Sequence, residues 1–586
     1  MLLSACPAKE DAAGNTSEDP EVTVTEVIVP EVSLPTDAAW RFLSHATFGP
    51  TQTDIDRVKL VGPEAWIDEQ FALPAGITYR KFLEDRDTEI KRDSIPKDSQ
   101  KANTAQNIEA FYTKALTEPA QLRNRLTFAL SEIFVISTVT LPNEPYIAGY
   151  LDMLDRASTG NYRSLLESVS KSPAMGIYLT FRSNQKESAV RIPDQNYARE
   201  IMQLFSIGLY ELNNDGTLAL GSDKKPKETY NSDDIKGLSK VFTGWSDARG
   251  SANSGVDNTQ CFLVQGPCYN RDSPYLPMES YPVFHSTSVK SFLGVTIPEQ
   301  STADAQASLT TALDKLANHR NAAPFFCKQL IQRLVSSNPS PEYVGRVVAK
   351  FLSSNGDIKT TVKAILLDSE ATDDESVANP SAGKVREPIL RLTAILRAFG
   401  FSGPSYPGTT SHIANVGITD TSDVSTSFGQ SPLSAPSVFN FFRPGYVPPG
   451  SETAKNGMVA PELQITDETS VTGYINAVQS LLTSGIGGTI ATRSDGIPGV
   501  RLNLLSQRSL AAKSTDELMT DLTNRLLGGQ ISNQLKTEII RVLNTMPVPA
   551  LTTSPSNQAA VNAALDLRVN AAILMTVASP EFLIIK

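Results

Sequence analysis

The chain has 586 residues, a formal net charge of −11, and 40% hydrophobic residues. That length calls for two or three packed units, and the hydrophobic share is that of a globular protein. No concentrated Lys/Arg run occurs, which excludes the basic footprint of a nucleic-acid binder or an electrostatically held membrane-surface protein. No apolar run reaches the roughly 18 residues of a transmembrane helix.

The first segment, residues 1–36, is unusual. Leu3-Ser4-Ala5-Cys6 resembles a bacterial lipobox, the end of a lipoprotein signal in which the cysteine is diacylated. The charged n-region and most of the apolar h-region of such a signal are missing. A polar, acidic stretch follows to about Asp37, as a disordered tether behind an anchor at Cys6 would require. The competing reading is an N-terminal cysteine of no special role.

From Asp37 the pattern turns helical, opening an N-terminal helical domain over 37–245. Ala38 to Ala46 runs into Gly49-Pro50, and Thr53 with Asp54 reads as the N-cap of the next helix. Residues 53–72 read as a helix, a Gly-Pro turn and a second short helix. Residues 104–139 are strongly helical, with Leu122, Leu126, Ala129, Leu130 and Ile133 on one face and Arg123, Asn124 and Arg125 beside it. Residues 145–180 hold two more helices.

Residues 194–245 are the most informative stretch. Asp194 caps a helix whose apolar face is Tyr197, Ile201, Leu204 and Phe205. Asn196, Arg199, Glu200 and Gln203 form its polar stripe. That stripe could orient a substrate, hold a carboxylate or phosphate through Arg199, or place Glu200 as an acid or base. A solvated face is the plainer reading. Asn213 to Thr217 reads as an Asx-turn, because the bidentate Glu of a calcium loop is absent. Tyr230 to Ile235 reads as an N-cap with first-turn acids, and Asp234 could still face a site.

Residues 246–303 are an irregular, short-stranded insertion, and Cys261 and Cys268 within it suit a local disulfide in an oxidising compartment. Helices resume over 305–317, 321–336, 340–354, 357–370 and 384–399, the last starting at Lys384-Val385-Arg386-Glu387-Pro388. Cys327 reads as a core thiol. Residues 402–432 are loop-like. The Pro- and aromatic-rich stretch from Ser431 to Gly445 could line a pocket, although loop packing is its plainer use. Residues 472–586 hold further helices. The class is mainly α: a multi-helix globular array, with the C-terminal region 304–586 packed on the first domain.

Several long motifs resemble the bacterial family called domain of unknown function 1800. They include Arg41-Phe42-Leu43, Ala46 to Thr51, Asn196-Tyr197-Ala198-Arg199-Glu200, Phe205 to Leu209, Asn214 to Thr217 and Phe242-Thr243-Gly244-Trp245. His285 with Lys290, His319 with Ala323-Pro324-Phe325, Gln329 to Leu334, Ser337 to Pro341, Pro436 to Phe442, Arg568 to Ala572 and Ser579 to Leu583 continue the match. The resemblance implies an exported protein whose gene neighbour is a domain of unknown function 1501 protein of alkaline-phosphatase or sulfatase type. It implies no reaction and no cofactor.

Two functions are therefore expected. The first is a lipid-anchored, periplasmic or outer-membrane-associated scaffold for that phosphatase-like partner. The second is an envelope hydrolase or transferase acting on glycan, phosphate or sulfate esters. Its candidate residues are Asn196, Arg199, Glu200, Asp234, His285, Lys290 and His319, with Glu200 as acid or base. No tight metal-ligand spacing, Gly-x-Ser-x-Gly elbow, phosphate loop or dinucleotide fingerprint is present.

Overall fold

Helices begin where the sequence supplies a cap. In the computed structural model, Thr51, Asn161, Ser340 and Asp357 each accept a backbone N–H from the first turn of the helix they precede. Pro63, Pro173, Pro341 and Pro388 open helices at positions where a missing N–H costs nothing. The structure describes residues 34–94, 96–141, 143–249, 258–263, 271–402, 416–487 and 500–586. Cys6, the tether and Cys268 lie outside them.

The architecture is mainly α, with strands only as short antiparallel pairs among the described residues. Two pairs, Trp245–Ser246 with Glu279–Ser280 and Lys290–Phe292 with Val295–Ile297, lie at the edge of or within the expected insertion. Two others join segments remote in sequence: Lys384–Val385 with Ile584–Ile585, and Phe401–Ser402 with Arg501–Leu502.

Several boundaries differ from the pattern-based expectation, each for a local reason. The cap of the second helix is Thr51, because its side chain reaches Asp54 N. The 104–139 stretch is two helices, Ala105–Thr117 and Gln121–Ile133, interrupted around Pro119, which has no N–H to continue the ladder. Residues 145–180 hold three helices: Glu144–Ala157, Tyr162–Ser170 and Pro173–Tyr178. The helix expected over 384–399 is Pro388–Phe399, and Lys384–Val385 before it is a strand. The helix at 194–205 is α only over Asn196–Glu200; Ile201–Ser206 is a π-helix.

One hydrophobic core runs from Ala39 to Phe582 across the expected domain boundaries. Thr36–Ala46 packs on Gln121–Ile133 and Ile358–Leu366, while Pro388–Phe399 packs on Ala105–Thr117 and Thr515–Leu527. Gln558–Val577 is long and apolar enough to cross a membrane by length and composition. Here it packs on Glu468–Thr483, Leu505–Lys513 and Asn533–Asn544, burying Val561, Leu565, Val569 and Ile573.

Candidate functional site

The helix Gln121–Ile133 is buried along almost its whole length, yet it carries Arg125 and Glu132. Seven positions apart, they lie on one face after two turns. Charges placed there must find partners within the protein. Arg125 Nη2 donates to the Arg333 carbonyl at 2.8 Å. Arg333, on the neighbouring helix Ala322–Leu334, meets Glu132 Oε1 at 3.3 Å and lies over the Phe442 ring at 4.7 Å. Asn440 Nδ2 donates to the same Glu132 oxygen at 3.1 Å. Asn440 holds φ at 63°, a left-handed conformation that aims its amide inward.

A second tier comes from the segment before Pro388. Lys384 Nζ donates to the Arg333 carbonyl at 2.9 Å and pairs with Glu462 at 3.1 Å. Glu387 accepts from Gln430 Nε2 at 2.8 Å. Each of the three glutamates leaves one buried oxygen without a partner: Glu132 Oε2, Glu387 Oε1 and Glu462 Oε2.

Their surroundings drive the Glu132 and Glu387 proton affinities apart. Burial, together with the charge and hydrogen bond of Glu387, pushes the Glu132 carboxyl up to about 8 against the pull of Arg333 and Lys384. Burial would raise Glu387 too, but Lys384, Arg125, Arg333 and the Gln430 bond outweigh it and hold Glu387 below the usual carboxylate range. Glu132 therefore holds its proton more tightly than an ordinary carboxyl does, while Glu387 is held ionised. Two carboxyls with opposed environments are the arrangement of an acid–base site.

Glu132 and Arg333 reach the open through a pocket of about 550 Å³. Leu204, Leu209, Phe325 and Phe439 supply apolar wall, and Gln203, Lys328, Gln329, Ser337 and Arg443 supply polar groups. Gln329 Nε2 and Ser337 Oγ are buried without a protein partner. Gly208, with φ at 70°, lets the chain pass Phe325, since a Cβ there would lie 2.7 Å from the ring.

The 194–245 stretch builds one wall of this pocket. A π-turn widens the helix and shifts every later side chain around its axis. Tyr197, Ile201 and Phe205 stay in the core, while Gln203 and Leu204 line the pocket. The Asn213–Thr217 turn forms as expected, with Asp215 accepting from Thr217 N at 2.9 Å. It is tied to the next wall by Asn321, which binds Leu212 N and the Ile207 and Tyr210 carbonyls, and by Lys328 on the Gly216 carbonyl.

The candidates expected from sequence fall into separate places. Asn196, Arg199 and Glu200 stay adjacent on their short helix, outside the pocket lining. Asn196 donates to Thr180 Oγ1 at 3.4 Å. Burial raises the Glu200 carboxyl against the opposing charge of Arg199, and Glu200 Oε2 has no partner. Tyr230, whose phenol is raised by burial and by Glu200, donates to Gln203 Oε1 at 3.1 Å and so links this group to the pocket wall. Asp234 completes a capping box with Asn231, and its other oxygen accepts from Leu293 N at 2.6 Å.

His285 and Lys290 belong to a different cluster. His285 is fully buried, bonded through Nδ1 to the Thr243 carbonyl at 2.8 Å and through Nε2 to Ser308 Oγ at 3.1 Å. Burial lowers it to about 4, so it is neutral. Lys290 is lowered by burial and bonds Gln300 Oε1 at 3.2 Å. His319 lines another cavity, with Arg163, Asn214 and Arg320, and is also lowered by burial. No hydrogen bond or ion pair among the described residues joins Glu200 to His285, Lys290 or His319. Cys261 is disulfide-bonded, and Cys327 is a free, buried thiol. No group of His, Cys, Asp and Glu among the described residues is arranged to hold a metal.

Pattern reasoning missed Glu132, Arg333, Glu387, Lys384, Glu462 and Asn440. The available signal was the pair Arg125 and Glu132 on an otherwise apolar helix, together with the polar residues inside the motifs at 329–334 and 436–442.

A mainly α protein with a buried carboxyl, Glu132, in the wall of a pocket is the class that the geometry defines. The family described as a protein of unknown function, DUF1800, matches residues 41–584, and the chain belongs to it. No curated protein and no solved structure matches the chain.

Proposed function

We propose that the protein is a hydrolase or transferase acting on an ester or glycosidic bond in the Glu132 pocket. The observation that carries this is the buried Glu132 carboxyl in the pocket lining, one oxygen unpartnered, beside Gln329 and Ser337 polar atoms that also await a partner; its surroundings raise its proton affinity and lower that of Glu387. In this reading Glu132 gives its proton to the departing oxygen and is reprotonated from the attacking water or alcohol. Glu387, held ionised, tunes Glu132, and Arg333 and Asn440 orient it. Chromogenic phosphate, sulfate and glycoside substrates test the reading. Glu132→Gln is expected to lower turnover of the accepted class by about 10²- to 10⁴-fold with the protein still folded. Unchanged turnover would place the chemistry elsewhere.

We propose further that the chain works in the cell envelope, anchored through a diacylated Cys6, beside a phosphatase- or sulfatase-type partner. The Leu3–Cys6 segment, the acidic stretch behind it and the disulfide at Cys261 support this location, while the partner rests on the family resemblance. Labelled palmitate should appear in the protein and vanish in Cys6→Ala; label retained in that variant rules out the anchor.

A further inference from the structure

We propose that the Glu132 pocket takes an amphiphilic oxyanion, a ligand with a phosphate, sulfate or carboxylate head and an apolar body. This rests on the pocket being the functional site and narrows what enters it.

The head follows from Arg333. The residue is only 4% exposed. One of its nitrogens meets Glu132 and its plane lies over Phe442, but its other guanidinium N–H groups have no protein partner among the described residues. Those nitrogens belong to a pocket-lining residue and are not sealed from it, and a planar guanidinium edge matches an oxyanion bidentately. Gln329 Nε2, also buried without an acceptor, is a further donor of the same lining.

Charge agrees. Lys328, Arg333 and Arg443 line the pocket, and Glu132 is its single acid. The surrounding cluster adds nothing, since Arg125 and Lys384 offset Glu387 and Glu462. On a chain of net charge −11, this cationic lining runs against the whole-protein sign and selects for an anion. Glu132, carrying its proton, adds no negative charge to this lining, where a carboxylate would repel an oxyanion.

The body follows from size and wall. A cavity of about 550 Å³ far exceeds a bare phosphate, and Leu204, Leu209, Phe325 and Phe439 give an inorganic ion nothing to bind.

Calorimetric titration of the full chain with octyl phosphate, octyl glucoside and inorganic phosphate, all as monomers near neutral pH, tests this. Octyl phosphate is expected to bind at least about tenfold more tightly than either of the others. Arg443→Ala, an exposed position, should weaken octyl phosphate about three- to tenfold and leave octyl glucoside unchanged. Wild type should lose octyl phosphate affinity above about pH 8, and Glu132→Gln should keep it. Equal affinity for the phosphate and the glucoside overturns the anionic head while leaving the site intact. Inorganic phosphate binding as tightly as octyl phosphate overturns the apolar body. No binding by any probe, with turnover still dependent on Glu132, overturns the amphiphile alone. No binding together with unchanged turnover in Glu132→Gln overturns the site itself.

Discussion

Glu132 combines three properties that seldom coexist on one side chain: near-complete burial, an unpartnered oxygen and contact with an open pocket. Its raised proton affinity has a consequence for stability. Between the ordinary carboxyl range and about 8, the folded state holds a proton that the unfolded state has lost. Stability therefore falls as pH rises through that window, and levels off above it. Glu132→Gln removes this term. Thermal unfolding from about pH 5 to about pH 8 should show wild type losing ground steadily to the variant. A constant difference between the two would mean that Glu132 is ionised in the folded protein. Arg125 and Glu132 are legible in sequence as charges on an apolar helix. Their partners are not, because Arg333, Glu387 and Asn440 lie some 200 to 310 positions away and meet them only in three dimensions.

The π-helix Ile201–Ser206 decides what the 194–205 motif does. A regular helix would keep Asn196, Glu200 and Gln203 on one stripe. The widened turn detaches Gln203 from that stripe and Leu204 from the apolar face, and both line the pocket. Ser206 Oγ on the Ile201 carbonyl and Tyr162 OH on the Phe205 carbonyl occupy backbone acceptors in that turn. Hydrophobic periodicity carries no signal for such a turn, since the core residues on either side of it keep their positions. The following excursion, 207–230, hangs on Asn321, which is fully buried and makes three bonds to it. Asn321→Ala strands those backbone groups and should cost about 2 to 3 kcal/mol. It should also speed amide exchange at 207–212 without changing exchange in Ala105–Thr117. Equal effects in both elements would mean that Asn321 supports the fold generally and not this wall.

At the scale of the molecule, the site depends on the chain's last residues. Ile584–Ile585 pairs with Lys384–Val385, Arg386 N donates to the Leu583 carbonyl at 2.7 Å, and the Arg386 guanidinium lies over Phe582 at 4.3 Å. That clamp fixes the segment bearing Lys384 and Glu387. Removing residues 582–586 empties the fully buried Phe582 site, at a cost of about 3 to 5 kcal/mol. It should abolish turnover before it abolishes folding. Because one core joins Ala39 to Phe582, calorimetry should show a single transition for wild type, moved to lower temperature in the truncated chain. Two resolved transitions in wild type would instead support separate domains on either side of residues 246–303.

The sequence by itself determined the helical class, many helix centres, the cap with first-turn acids in Tyr230–Ile235, the Asx-turn at Asn213–Thr217 and the family. These are local properties: a cap spans three residues, a helical face about ten, and a motif is read along the chain. Tertiary structure alone decided which polar residues form a site. His285 and Asp234 look reactive in isolation, but neighbours satisfy both of their hydrogen-bonding sides. Glu132 looks like an ordinary helix residue until Glu387, Arg333 and Asn440 surround it in a medium too apolar for two adjacent negative carboxyls. Whether a carboxyl is a solvated charge or a stored proton depends on burial and on partners distant in sequence, and only the fold supplies both.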